Sequence, residues 1–253
     1  MLPVSSEGYS MSTQVTDLKA ILVPGESLPA TEWRLLAIRS EQCMSYIAWN
    51  ERTREAILID PKMEDQASYQ KIHIELENYL WLAVIDTHTH ADHVSIAALM
   101  AQDFKAPLVM HVLSPSARVH LRVSKETFLP AHAAAVQLIP TPGHTQDAIT
   151  VIWGPFLFGG DTLLYGDTGR DDLPGGDPEA HYASIQKIKE LARPEMIVLP
   201  GHDSKGARAS SWSTQLRENP SLIQDRESFV REASAFEAPA PKSLKKSLHE
   251  NFK

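Results

Sequence analysis

The sequence predicts an α/β protein, and three observations carry that expectation. Short apolar runs bounded by Gly, Pro, Asn or Asp read as buried strands. Stretches with helical spacing alternate with them along the chain. The residues able to do chemistry sit directly after the apolar runs, where strand ends line one edge of a sheet and give ligands a rigid frame.

Taken in order, residues 1–30 are rich in Ser, Pro and Gly with little periodicity and read as an irregular lead-in. Trp33 to Ile38, Cys43 to Trp49 and Ala56 to Ile59 read as successive strands, with Asn50-Glu51-Arg52-Thr53 as a turn and Asp60-Pro61 as a stop. Ser68 to Leu80 has helical spacing and leads into the apolar strand Leu82 to Ile85. Val94 to Met100 begins a helix, and Pro107 to His111 is a further strand. Ala133 to Ile139 precedes Pro140-Thr141-Pro142-Gly143-His144-Thr145; Ala148 to Trp153 and Pro155 to Phe158 form a hairpin running into Gly159-Gly160-Asp161. Asp177 is the expected N-cap of a helix to Leu191, with Pro178 at its first position. Met196 to Leu199 is a strand ending at Pro200-Gly201-His202-Asp203, and two shorter helical patterns follow. The expected division is a lead-in (1–30), one domain (31–236) and a loosely held, Lys-rich tail (237–253).

Composition narrows the function. The chain has 253 residues, 43% hydrophobic and 22% charged, enough apolar material for a sizeable core. A net charge of -8 argues against a nucleic-acid surface. No apolar segment approaches a membrane span, and Met1 to Thr16 shows no basic-then-apolar leader, so the expectation is a cytoplasmic protein with no membrane and no nucleic-acid partner. The single cysteine, Cys43, excludes an intrachain disulfide and a Cys-rich zinc site, and its strand pattern places it in the core.

The densest chemistry lies in Asp86-Thr87-His88-Thr89-His90-Ala91-Asp92-His93, three histidines and two carboxylates in eight residues after a buried strand. In an extended segment alternate side chains share a side, so His88 and His90 are expected to project into one space. Neutral imidazole with carboxylate is ligand chemistry for Zn, Fe or Mn. His144, Asp161 and His202 follow other apolar runs in the same way.

These residues resemble the metallo-β-lactamase superfamily, whose pattern is T-H-x-H-x-D-H, then P-G-H-T, G-D and a final G-H. The matches are His88, His90, Asp92, His93, His144, Asp161 and His202, with Asp60 at the place of an early structural aspartate. The resemblance runs from about Trp33 to Leu222 and implies an αβ/βα sandwich, two mixed sheets face to face with helices outside and metal at the edge between them. Gly169-Arg170-Asp171-Asp172 is similar to the G-R-T-D of the persulfide dioxygenase branch, with Asp171 in place of Thr. Pro200-Gly201-His202-Asp203-Ser204-Lys205-Gly206 and Asn219-Pro220-Ser221-Leu222 are similar to that branch's A-H-D-Y-K-G and N-P-R-L. Asp147 stands where many relatives carry Gly.

The resemblance implies one Fe(II) per chain held by His88, His144 and Asp161, with His90, Asp92, His93 and His202 orienting ligands or water around it. It implies oxidation of a low-molecular-weight persulfide of the glutathione persulfide type by O2 to sulfite and free thiol, with a homodimer as one assembly open to it. Arg170 is the candidate for a substrate carboxylate, against a loop-locking pair with Asp171 or Asp172. The alternative is a binuclear zinc hydrolase of the glyoxalase II type, acting on a thioester or lactone. There His88, His90 and His144 hold one zinc, Asp92, His93 and His202 the other, and Asp161 bridges. His111, His120, His132, His181 and His249 read as structural or surface residues.

Overall fold

The computed structural model describes residues 13–26, 32–203 and 209–253. The expected lead-in therefore falls partly outside the described residues, as do Ser204-Lys205-Gly206 of the last motif.

Two mixed sheets face one another. The first has seven strands in order β1-β2-β3-β4-β5-β6-β7, and the second has six, β13-β12-β11-β10-β9-β8. The first sheet comprises β1 (Gln14–Asp17), β2 (Trp33–Ser40), β3 (Cys43–Asn50), β4 (Glu55–Ile59), β5 (Leu80–Ile85), β6 (Leu108–His111) and β7 (Leu121–Val123). The second comprises β8 (Thr127–Leu129), β9 (Val136–Pro140), β10 (Ile149–Trp153), β11 (Phe156–Gly160), β12 (Ile197–Pro200) and β13 (Ser210–Ser211).

The strands are buried on both faces, and their period of two divides the apolar residues between three layers. Leu35, Tyr46, Ile57, Ile59, Ala83 and Ile85 point inward to meet Leu138, Val151, Trp153, Phe156, Phe158 and Leu199 from the opposite sheet. Ile47, Leu58 and Val84 point outward against Tyr69 and Ile72 of α2 (Gln66–Glu75) and Met100 and Phe104 of α3 (Ala97–Phe104). Ile152, Leu157 and Val198 do the same beneath Ile185 and Ile188 of α4 (Pro178–Leu191). The result is the αβ/βα sandwich that the sequence implied. Trp33 and Trp153 lock the two sheets edge to face, their ring centroids 4.8 Å apart, a geometry worth about 0.5–1.5 kcal/mol beyond area burial. Among the described residues no helix is long and apolar enough to cross a membrane.

Two expectations need correction. The lead-in holds structure: β1 pairs antiparallel with β2, and the one-turn helix α1 (Leu18–Ile21), capped by Asp17, buries Leu18 and Ile21 in the central core. Both pieces are four residues long, too short for a periodic pattern to show.

The tail is also not loose. After α5 (Trp212–Glu218), α6 (Pro220–Ile223) and α7 (Arg226–Ala235), the chain crosses back and ends in a further helix, α8 (Leu244–Asn251). Asn251 donates from Nδ2 to the carbonyls of His90 and His93, each at 2.9 Å, and accepts from the Ser95 amide at 2.9 Å. Ser243 donates to the Asp92 carbonyl at 2.5 Å. Of the Lys residues that gave the tail its solvated look, Lys245 and Lys246 are exposed on α8 and Lys242 is exposed just before it, while Ser247 is fully buried.

Replacing Asn251 strips hydrogen bonds from three backbone groups of one loop. Asn251→Ala is expected to lower the unfolding free energy of the metal-free protein by about 1–3 kcal/mol, while Lys245→Ala on the exposed side changes it by less than about 0.5 kcal/mol. Urea denaturation of the two variants measures this, and equal curves would remove the clamp.

Candidate metal centre

β4 runs parallel to β5, and β11 parallel to β12, so the carboxyl ends of all four strands open on the same rim of the sandwich. Asp60, the segment Asp86 to His93, Asp161 and His202 follow those ends, and His144 follows β9. The rim is stitched across the sheets: the Ile149 amide donates to the Thr87 carbonyl at 2.7 Å, and the Met44 amide to the Gly201 carbonyl at 2.8 Å. Two glycines allow the close approach. A Cβ on Gly160, whose φ is +52°, would lie 2.7 Å from Thr87 Oγ1, and one on Gly201 would lie 2.5 Å from Asp161 Oδ1.

His88, His144 and Asp161 are buried, and each offers a ligand atom within 4.8 Å of the others. Their hydrogen bonds fix which nitrogens face the gap. His144 Nδ1 donates to the Arg170 carbonyl at 2.6 Å, leaving Nε2 3.5 Å from Asp161 Oδ2. Thr87 Oγ1 gives its proton to Asp60 Oδ2 at 2.8 Å and so accepts from His88 Nδ1 at 3.0 Å, which leaves His88 Nε2 unprotonated. Burial pushes the His88 imidazole well below its ordinary pKa. Burial opposes ionisation of Asp161, but the facing His202, His144 and His88 outweigh it and hold the carboxyl far below its usual range. Two imidazoles and a carboxylate on one side of a gap fit a metal with open coordination positions.

Asp60 supports this group from below. Its carboxylate accepts the Thr87 amide at 2.7 Å as well as the Thr87 hydroxyl, and His90 Nε2 lies 3.2 Å from Oδ1. It does so from a left-handed backbone, φ +50°, an uncommon conformation for a side-chain-bearing residue.

The other expected ligands are arranged differently. His90 does not share a space with His88: although the rings are 4.2 Å apart, His90 groups with Asp60 and Asp86. The alternation rule fails because the backbone leaves the extended conformation after Ile85. His202 lies between two carboxylates, with Nδ1 2.7 Å from Asp161 Oδ1 and Nε2 2.7 Å from Asp92 Oδ2. Despite burial, these carboxylates raise its pKa well above the ordinary value, and the same contact helps hold Asp92 far below its own, again against burial. His93 Nδ1 lies 3.1 Å from Asp92 Oδ1, while its Nε2 is buried with no hydrogen-bond partner.

Cys43 is a buried strand residue, as its pattern implied, with a rim contact that the sequence did not reveal. It lies at the first position of β3, and its thiol donates to Asp92 Oδ2 at 2.9 Å, 3.6 Å from His202 Nε2. Cys43, Asp92 and His93 form a second cluster of potential ligands within 4.8 Å. No local signal in the sequence marks it, because the contact to Asp92 spans 49 residues.

Arg170, weighed between a substrate carboxylate and a loop-locking pair with Asp171 or Asp172, pairs with Asp172. Nε and Nη2 pair with both oxygens of Asp172 at 2.5 Å, Nη2 also donates to the Ala238 carbonyl at 2.6 Å, and Nη1 to the Pro239 carbonyl at 2.9 Å. Asp171 instead receives His181, whose Nδ1 lies 2.7 Å from Oδ1 and whose Nε2 donates to the Thr162 carbonyl at 2.9 Å. Asp147 accepts both the amide and the hydroxyl of Thr89, at 3.1 and 2.5 Å, tying the two histidine-bearing loops together. Of the remaining histidines, His132 is exposed and bonded to the buried Glu55 through both its ring and its amide. A cavity of about 430 Å³ opens over His88, His144 and Asp161.

Residues 124–202 match the model of the metallo-beta-lactamase superfamily. The chain is 27% identical over 213 residues to the mitochondrial persulfide dioxygenase ETHE1 of Homo sapiens, covering 83% of each. It is 28% identical over 191 residues to BaeB of Bacillus velezensis, a probable zinc-dependent hydrolase of polyketide biosynthesis, covering 73% of this chain and 84% of BaeB. Among solved structures, ETHE1 from Myxococcus xanthus superposes with a TM-score of 0.76 at 30% identity, over 83% of this chain and 93% of that one. A fold, a rim of ligands and these likenesses together make the chain a metalloenzyme of the metallo-beta-lactamase superfamily, in the branch that contains ETHE1.

Proposed function

We propose that this protein is an iron-dependent dioxygenase that oxidises a low-molecular-weight thiol persulfide, with one Fe(II) held by His88, His144 and Asp161. The observation that carries the reading is the buried triad itself, two imidazoles and one carboxylate whose ligand atoms lie within 4.8 Å of one another beneath an open cavity, a donor set that leaves coordination positions free for a persulfide and O2. The likeness to the ETHE1 proteins supports the same choice.

The net reaction takes RSSH, O2 and H2O to RSH, sulfite and two protons. A ferrous ion in this triad supplies redox chemistry and open coordination positions. The chain contributes geometry and charge. The Asp60–Thr87 pair and the Arg170 carbonyl hold both imidazoles in the ligating tautomer. His202 keeps one oxygen of Asp161 occupied, leaving the other toward His144.

The zinc hydrolase reading keeps one specific observation on its side, the cluster of Cys43, Asp92 and His93. Elemental analysis with O2 uptake separates the two. The expected result is about one iron per chain and persulfide-dependent O2 uptake with sulfite formed. Two zincs per chain, no uptake and hydrolysis of a thioester would replace the proposal with the hydrolase.

Two variants sharpen it. His202→Ala is expected to retain iron but lose turnover, whereas His144→Ala loses the iron itself; a binuclear centre would instead shed one of two metals in His202→Ala. Thr87→Val removes the hydroxyl between Asp60 and His88 and is expected to weaken iron binding by roughly 10–100-fold, read by competition with a chelator. Unchanged affinity would show that Thr87 does not orient the ligand.

A further inference from the structure

Three pieces of chain around the triad are mounted on the first turns of α4. The Asp177 amide donates to the Gly143 carbonyl at 2.8 Å and the Ser184 hydroxyl to the Pro142 carbonyl at 2.6 Å, so the two residues before His144 are held by the helix. A Cβ on Gly143 would lie 2.3 Å from His181 Cα, so closely does that loop rest on α4. From the same turns His181 reaches the other two pieces. Its Nε2 meets the Thr162 carbonyl at 2.9 Å, next to Asp161, and its Nδ1 meets Asp171 Oδ1 at 2.7 Å, next to Arg170. Both side chains of the His181–Asp171 pair are buried, and the Phe229 ring of α7 packs edge to face on the imidazole, with centroids 5.6 Å apart.

These contacts fix the protons of His181. The Thr162 carbonyl can only accept, so Nε2 must donate. A neutral ring would then turn the lone pair of Nδ1 toward Asp171, and an ionised carboxylate would face it lone pair to lone pair at 2.7 Å. The pair therefore holds one further proton. It lies between Nδ1 and Oδ1, because the buried Oδ2 has no hydrogen-bond partner among the described residues to which it could donate. Asp171 is also the departure from the G-R-T-D pattern, and His181 is the side chain that answers it. Held in this way, Asp171 holds the peptide before it, and the Arg170 carbonyl of that peptide accepts His144 Nδ1–H at 2.6 Å. Without that acceptor the His144 proton is free to settle on Nε2, the nitrogen facing the gap, and a protonated nitrogen cannot ligate a metal.

We infer that His181 and Asp171 are positioning residues of the metal centre: the proton they share registers the Arg170 carbonyl, and through it presents His144 to the metal by Nε2. The inference rests on the reading of His88, His144 and Asp161 as ligands, but not on which reaction the metal serves. It gives the buried pair a role at a distance, since neither residue touches the gap.

The test is proton NMR of the full chain loaded with Co2+, in which each ligating imidazole gives a paramagnetically shifted, exchangeable N–H signal. In the unaltered protein both His88 and His144 are expected to show one. Asp171→Ala is expected to move the His144 signal or speed its exchange with water, to leave the His88 signal in place, and to weaken Co2+ binding by about tenfold in competition with a chelator. Asp171→Asn can donate its amide to Nδ1 and keep Nε2–H on the Thr162 carbonyl, so it is expected to restore both. Asp171→Ser, with room for a water before Nδ1, is expected to show the same selective change and serves if the alanine variant does not fold. An unchanged His144 signal and Co2+ affinity in the folded variants overturns the inference. So does an equal disturbance of both signals together with a lower urea midpoint, which would make the pair a general prop of the fold. Co2+ binding by the unaltered protein with no shifted His144 signal overturns the ligand assignment instead, and the inference with it.

Discussion

Everything at the rim hangs from the carboxylate of Asp60. It sits at the end of a central strand in a left-handed conformation, takes the amide and hydroxyl of Thr87, and faces His90. Burial by itself would favour the protonated acid, yet His90, His88 and the Thr87 amide together lower its pKa. An ionised group is thereby kept in the interior, and it sets the direction of the one proton that decides how His88 presents itself. Backbone strain of order 1–3 kcal/mol is tolerated at such a point only because the surroundings over-determine it.

The same logic recurs around the centre, and it shows what a ligand costs beyond the ligand itself. His144 is set by a carbonyl, Asp161 by His202, the loop of His88 by Asp147, and the loop of Arg170 by His181. Two of these supports, His202 after β12 and Asp147 before β10, lie beside other strand ends, so the sandwich itself is the instrument that brings them into register. Its central layer of apolar side chains fixes the distance between the two sheets, and that distance fixes the gap between His88 and Asp161.

Much of this was legible before any coordinates. The apolar runs from Trp33, Cys43, Ala56, Leu82, Ala148 and Met196 became strands within a few residues of where they were read, because strands buried on both faces leave an unbroken apolar signature. Asp177 capping α4 was legible for a similar reason: capping is local chemistry. The triad followed from residues placed after those runs together with the family pattern. What escaped was non-local. β7 and β8 are three residues each and borrow their order from neighbours. Cys43 belongs to the rim only because β3 begins where His202 arrives. The partners of Arg170 include carbonyls 68 and 69 residues downstream, and no pattern around Gly169 announces them.

The clamp of Asn251 on the histidine loop carries a consequence for the order of events in the cell. His90 lies 161 positions upstream of the residue that secures its carbonyl. Until Asn251 has been made, this loop can be threaded and even packed, but it cannot be fastened. The loop is therefore secured only once α8 has been made, and a nascent chain stalled before α8 would leave the carbonyls of His90 and His93 without the Asn251 amide that they accept in the finished fold.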